Sequence, residues 1–174
     1  MSSLGIVGIA AAAGVSKVTV YNQFGDKRGL FTAAVESECS RVATYFSIEA
    51  DAGTTLRDRL HTIGTGMVAF LSRPEMMQFE RRIAAETVLE PEIGATFLAA
   101  GPHRMKKAFA ALLRGLADAG DLEITDFDLA AEQFVSMCKG MGDLERRFGA
   151  KVDPQRDRER VDAAVEVFCR AYGR

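Results

Sequence analysis

Apolar residues recur along this chain at the three- and four-residue spacing of amphipathic α-helices. No stretch keeps the alternation of apolar and polar residues that a half-buried strand shows. The pattern therefore predicts an all-α protein whose helices are separated by glycine and proline. The predicted helices cover residues 3–12, 17–24, 27–49, 55–73, 75–89, 91–98, 102–119, 128–141 and 154–172.

Two of these helices carry more specific predictions. Thr54 is expected to cap the helix that follows it, because a threonine hydroxyl can accept a hydrogen bond from an amide of the first turn. The segment 75–89 has apolar residues on more than one face, which favours a central helix.

Composition narrows the class of protein. The 174 residues are 48% apolar and 26% charged, which is typical of a globular protein with one domain or two small ones. Cys39, Cys138 and Cys169 are too few and too scattered for a disulfide framework or a zinc site, so a reducing cytoplasm is the expected location. No apolar run approaches the roughly 18 residues of a membrane span, and we expect no membrane association.

The stretch 9–27, IAAAAGVSKVTVYNQFGDK, has the features of a helix, a tight turn and a second helix. Gly14 can adopt the left-handed conformation that ends a helix and turns the chain. Ser16 is a natural N-cap for the next helix. At about 100° per residue, Val20 and Phe24 share one side of that helix, which should be its inner side.

The opposite side of this short helix has chemistry suited to a DNA major groove. The residues predicted to face outward or to flank that face are Lys17, Val18, Thr19, Tyr21, Asn22 and Gln23. Methyl groups can contact a thymine methyl, an asparagine can read an adenine edge, and lysine and tyrosine can hold phosphates. The alternatives are a helical hairpin without a ligand, with Val18 packed on a neighbouring domain and with Lys27 and Arg28 merely solvated.

The longer string 9–31, IAAAAGVSKVTVYNQFGDKRGLF, resembles the helix-turn-helix of TetR-type transcriptional regulators. The residues that match their pattern are Ile9, Ala10, Ala13, Gly14, Val15, Ser16, Thr19, Tyr21, Phe24, Lys27 and Leu30. The resemblance implies binding to a double-stranded DNA operator. The DNA-binding residues predicted on this basis are Ser16, Lys17, Val18, Thr19, Tyr21, Asn22, Gln23 and Lys27.

TetR-type domains begin with a further helix ahead of this region, and only residues 1–3 precede it here. We therefore expect that helix to be absent from this chain. Without it, the inner face of the helix-turn-helix should be partly uncovered. The residues of that face are Ile6, Ile9, Val20 and Phe24.

The stretch 82–140 resembles, more loosely, the regulatory domain of AefR-like repressors. The resemblance implies that the C-terminal helices bind a small effector and form a dimer. We expect a DNA-binding domain over residues 1–48, including the start of a connecting helix, and an effector-binding and dimerisation domain over residues 49–174.

Methionine and aromatic residues of the second domain are candidates for an effector pocket, because they form adaptable apolar walls. With two charged residues as polar handles, the candidates are Met67, Phe70, Met77, Arg82, Glu86, Phe109, Phe134 and Met137. The competing interpretation is that most of the apolar ones are core and that Arg82 and Glu86, four residues apart, form a surface pair.

The chain has no phosphate loop, no dinucleotide-binding glycine pattern and no nucleophile elbow. We expect no enzyme activity, no metal and no cofactor. The predicted function is a homodimeric, ligand-responsive repressor that dimerises through its last two helices and leaves its operator when a small apolar effector binds. The alternative is a helical small-molecule binding protein without DNA-binding function.

Overall fold

The computed structural model describes residues 6–43 and 54–174, and nine α-helices form over these ranges. They are α1 (Ile6–Ala12), α2 (Lys17–Phe24), α3 (Lys27–Ala43), α4 (Leu56–Leu71), α5 (Pro74–Leu89), α6 (Pro91–Ala100), α7 (Pro102–Asp118), α8 (Phe127–Arg147) and α9 (Pro154–Tyr172). The described ranges contain no strand, and the predicted all-α class is confirmed. None of these helices is both long and apolar enough to cross a membrane.

Helix α4 begins one residue later than the sequence pattern suggested. Its N-cap is Thr55 and not Thr54, so that prediction was wrong. The Thr55 hydroxyl oxygen accepts a hydrogen bond from the Asp58 amide at 3.1 Å, and the Asp58 carboxylate accepts one from the Thr55 amide at 3.3 Å. This reciprocal cap needs an acidic or amide side chain three residues after the cap, and only the later threonine has one.

Helix α8 continues beyond its predicted end at residue 141 and reaches Arg147. At Gly140, φ is +47° and ψ is −153°, which interrupts the helix and redirects its last turns. A side chain at this φ would be strained, so glycine suits the position. The predicted end was wrong because the chain resumes helical geometry after a single residue instead of entering a loop.

The main core lies among α4, α7, α8 and α9. Its centre holds Phe134, whose ring centroid lies 5.2 Å from that of Phe109 and 5.3 Å from that of Phe168. Helix α4 approaches α9 closely at Gly64, where an added Cβ would lie 3.0 Å from Val161 Cγ1. These contacts join the four helices into one tightly packed unit.

Helix α5 lies at the margin of that core, so the expectation of a central helix was wrong. Ile83 is buried, but Val88 and Leu89 are each 82% exposed. Part of the remaining apolar surface faces α6, where the rings of Phe79 and Phe97 lie 6.0 Å apart.

Helices α1 to α3 form a smaller unit with its own buried cluster of Ile6, Ala10 and Val20. Helix α3 links this unit to the C-terminal helices. The rings of Phe31 in α3 and Phe79 in α5 are 5.6 Å apart, and Arg104 Nη1 in α7 lies 2.9 Å from Glu36 Oε1 in α3. The predicted helix start at residue 3, the predicted helix end at residue 49 and the predicted domain boundary between residues 48 and 49 lie outside the described residues.

Candidate nucleic-acid interface

A tight turn between α1 and α2 fixes the direction of α2. Gly14 adopts φ +67°, the left-handed conformation predicted for it. Ser16 is the N-cap of α2: its Oγ accepts a hydrogen bond from the Thr19 amide at 3.0 Å, and the two hydroxyl oxygens are 2.9 Å apart. The predicted cap is confirmed, and it holds the first turn of α2 in a defined orientation.

One side of α2 is buried and the other is open to solvent. Val20 is 5% exposed, whereas Val18 is 66% exposed. The other predicted DNA-binding residues of this segment are exposed as well: Ser16, Lys17, Thr19, Tyr21, Asn22 and Gln23. Val18 is therefore not buried against a neighbouring domain within the described residues, which was the alternative to a role in DNA binding.

Lys17 and Tyr21 contact each other on the flank of this open face. The Lys17 ammonium lies 5.4 Å from the centroid of the Tyr21 ring, a distance at which a cation and an aromatic face attract each other. Tyr21 is 41% exposed. The contact places a positive charge over the Tyr21 ring at the edge of α2.

The start of α3 adds charged groups next to α2. Lys27 is the first residue of α3, and its side chain lies outside the described part of the chain. The Asp26 carboxylate accepts a hydrogen bond from the Gly29 amide at 2.7 Å. Arg28 is not merely solvated, because its Nη1 lies 2.8 Å from Glu92 Oε2 in α6.

The inner face of the helix-turn-helix is better covered than expected. Ile6 and Val20 are 7% and 5% exposed, so the expectation was wrong for these two residues. Ile9 and Phe24 are half-buried, as a partly uncovered face requires. Helices α1 and α2 cover much of each other's apolar surface.

The candidate effector-pocket residues occupy three environments. Those buried in the main core are Met67, Phe109 and Phe134. Those that are half-buried are Phe70, Met77 and Met137. The charged pair, Arg82 and Glu86, is exposed on α5. Their assignment to a pocket stays a prediction.

Sequence reasoning missed a group of charged side chains between α5 and α8. Asp143 Oδ2 lies 3.2 Å from both Lys139 Nζ and Arg147 Nε, and Arg147 Nη2 lies 3.4 Å from Glu80 Oε2. Burial raises the pKa of the Glu80 carboxyl, and nearby Arg147 offsets part of that rise. The four-residue spacing along α8 is visible in the sequence, but the partner on α5 follows only from the tertiary packing.

A second polar group lies where α8 meets α9. Arg146 and Asp157 are 4% and 8% exposed, and Arg146 Nη1 lies 2.9 Å from Asp157 Oδ1. The same carboxylate oxygen accepts a second hydrogen bond from Arg160 Nη1 at 2.8 Å. Gly142 leaves room for this arrangement, because a Cβ there would collide with the Arg160 guanidinium.

A capped α2 with an open polar and apolar face, attached to a larger helical unit, is the architecture of a helix-turn-helix DNA-binding regulator. Comparisons with known proteins agree. The family model for bacterial regulatory proteins of the tetR family matches residues 1–34, and the model for the C-terminal domain of AefR-like transcriptional repressors matches residues 58–174. The chain belongs to the TetR family of transcriptional regulators, which are not enzymes.

Solved structures of TetR-family regulators resemble this chain over nearly its whole length. One from Mesorhizobium loti is 28% identical, with a TM-score of 0.83, and the match covers 98% of this chain and 87% of that one. The flavonoid-responsive regulator FrrA is 26% identical, with a TM-score of 0.77 and coverage of 97% and 86%. A regulator from Pseudomonas syringae pv. tomato is 26% identical, with a TM-score of 0.72 and coverage of 99% and 86%. Among curated protein sequences there is no match.

Proposed function

We propose that this protein is a homodimeric, ligand-responsive repressor that a small, largely apolar effector releases from its operator. The observation that carries the proposal is the open face of α2, where Val18 is 66% exposed on a helix that Ser16 caps and Val20 anchors. Two such helices, one from each protomer, suit successive major grooves about 34 Å apart.

The proposed effector site lies in the C-terminal helices. FrrA is named as flavonoid-responsive. By analogy, the effector proposed for this chain is an aromatic molecule that carries hydroxyl groups. Half-buried Phe70, Met77 and Met137 supply apolar walls. Glu80 lies one helical turn from Met77 and offers a half-buried carboxylate that can accept a hydrogen bond from a hydroxyl. Thermodynamic linkage makes the two effects equal: the factor by which the effector lowers the affinity for DNA is the factor by which DNA lowers the affinity for the effector.

The proposed dimer uses the outer faces of α8 and α9. Met141, Leu144 and Phe148 follow one another at helical spacing after the kink and are 62%, 46% and 86% exposed. Val167 in α9 is 52% exposed. Apolar side chains left open in this way favour association of two copies, and two pairs of helices can form a four-helix bundle.

Val18→Ala should weaken binding to a labelled duplex from the region upstream of the protein's own gene by about tenfold. Each protomer loses two methyl groups, and with about half of their surface buried in the groove the loss is on the order of 0.7 kcal/mol per protomer, or about 1.4 kcal/mol for the dimer. The measurement is fluorescence anisotropy across a salt series, because phosphate contacts make the affinity fall as salt rises.

Val88→Ala is the matched control, since Val88 is also an exposed valine but lies at the end of α5. Its affinity should equal that of the wild type. Equal affinities for Val18→Ala and wild type would contradict the assigned groove face. If the wild type binds neither this duplex nor a pool of random duplexes in a salt-dependent way, the helical small-molecule binder replaces the repressor.

Leu144→Glu should shift the protein from dimer to monomer, with dimerisation weakened by about tenfold or more, because a carboxylate placed in an apolar interface loses its hydration. Light scattering across a dilution series measures the mass. Leu98→Glu is the control, because Leu98 in α6 is 44% exposed, close to the 46% of Leu144. A dimer of unchanged strength in Leu144→Glu would exclude the outer face of α8 from the interface.

A further inference from the structure

An acidic residue of the C-terminal helices reaches the helix-turn-helix unit. Glu92 is the second residue of α6 and Arg28 the second residue of α3. The Glu92 carboxylate lies 2.8 Å from the Arg28 guanidinium, and both side chains remain more than half exposed. The first turns of α3 and α6 therefore meet through an ion pair that solvent can reach.

Arg28 lies next to a predicted DNA-binding residue. It follows Lys27, which the family resemblance places among the DNA-binding residues, and it belongs to the first turn of α3, the positive end of that helix. A guanidinium binds phosphate and carboxylate with the same pair of parallel hydrogen bonds. An exposed ion pair contributes little to folding, so Arg28 can exchange Glu92 for a phosphate without loss of the fold.

We propose that Arg28 is a further DNA-phosphate contact and that Glu92 occupies it in the DNA-free protein, so that Glu92 and DNA compete for one guanidinium. The inference rests on the proposed DNA-binding function. It gives the C-terminal helices a direct effect on DNA affinity, because any shift that brings α6 closer to α3 strengthens the competitor.

A chain of contacts connects this pair to the C-terminal unit. The ring of Phe79 in α5 contacts the ring of Phe97 in α6 on one side and that of Phe31 in α3 on the other, at centroid distances of 6.0 and 5.6 Å. The Phe79 ring therefore connects α5 to both helices that carry the ion pair. We expect a displacement of α5 to change the separation of α3 and α6, and with it the distance between Arg28 and Glu92.

The test is a double-mutant cycle on DNA affinity with wild type, Glu92→Gln, Arg28→Gln and the double variant. The probe is the duplex that the wild type binds in the experiment above, or random duplex at low salt. Glu92→Gln should bind about threefold to tenfold more tightly at low salt, and the gain should shrink as salt rises. Arg28→Gln should bind more weakly, with a salt slope smaller by about one per protomer. The gain from Glu92→Gln should vanish in the Arg28→Gln background.

Glu90→Gln is the matched control, because it removes the same charge only two residues from Glu92. The Glu90 side chain makes no capping hydrogen bond that the substitution would break. Its affinity should stay within about twofold of the wild type, since a local competition does not depend on net charge. Thermal unfolding of each variant checks that the fold is unchanged.

Three outcomes would overturn the inference: no gain from Glu92→Gln, an equal gain from Glu90→Gln, or the same gain with Arg28 already replaced. Failure of the proposed function is a separate result, because the wild type would then show no salt-dependent DNA binding and no loss in Val18→Ala.

Discussion

Phe134→Ala is expected to lower the free energy of unfolding by about 3–5 kcal/mol. The side chain is fully buried at the centre of the main core, with the rings of Phe109 and Phe168 on either side. Truncation removes the transfer free energy of the ring and leaves a cavity that three helices have to close. They cannot close it easily, because Gly64 already holds α4 at a short distance from α9.

Urea denaturation at a fixed protein concentration measures this loss, since dimer formation makes the midpoint depend on concentration. Leu89→Ala provides the control, because Leu89 is 82% exposed at the end of α5 and lies outside both the main core and the proposed dimer face. A loss below about 1 kcal/mol in Phe134→Ala would mean that the core relaxes around the cavity.

Asp157→Ala should be nearly as destabilising, by about 3–5 kcal/mol, because it leaves a buried charge without its partner. Arg146 is 4% exposed and donates to the Asp157 carboxylate, and Arg160 donates to the same oxygen. Without the carboxylate, two guanidinium groups face each other beside Gly142. Their repulsion should open the contact between the end of α8 and the start of α9.

Asp162→Ala is the comparison within the same helix, because Asp162 pairs with His61 at 2.9 Å in an exposed position. Its loss should stay below about 1 kcal/mol, as is usual for a pair of exposed side chains. The difference between the two variants isolates the effect of burial. Similar, small losses in both would show that water reaches Arg146 once Asp157 is removed.

The turn between α1 and α2 could be predicted from sequence because its determinants are local. Gly14 supplies the left-handed conformation and Ser16 supplies a hydroxyl to an amide three residues later, so the nearest neighbours decide the geometry. The same kind of local signal favoured Thr55 over Thr54, since Asp58 stands three residues after the former.

Other features could not be predicted because they depend on residues far apart in the chain. Helical periodicity does not distinguish a buried helix from one at the margin of the core, and α5 was placed wrongly for that reason. A glycine inside a helical pattern gives no sign of whether the chain kinks or ends, as at Gly140. The ion pairs of Arg28 and Arg146 join different helices, and periodicity within a single helix cannot pair them.

The two buried clusters differ greatly in size. Among the described residues, the cluster of α1 to α3 has three buried members, whereas the main core has seventeen. Local opening needs less free energy where fewer apolar contacts break, so amide protons of α1 and α2 should exchange with solvent well before those of α8 and α9. An operator that binds the closed form of α2 stabilises it against this opening, so amide exchange in α1 and α2 should slow when DNA is bound, while exchange in α8 and α9 changes little.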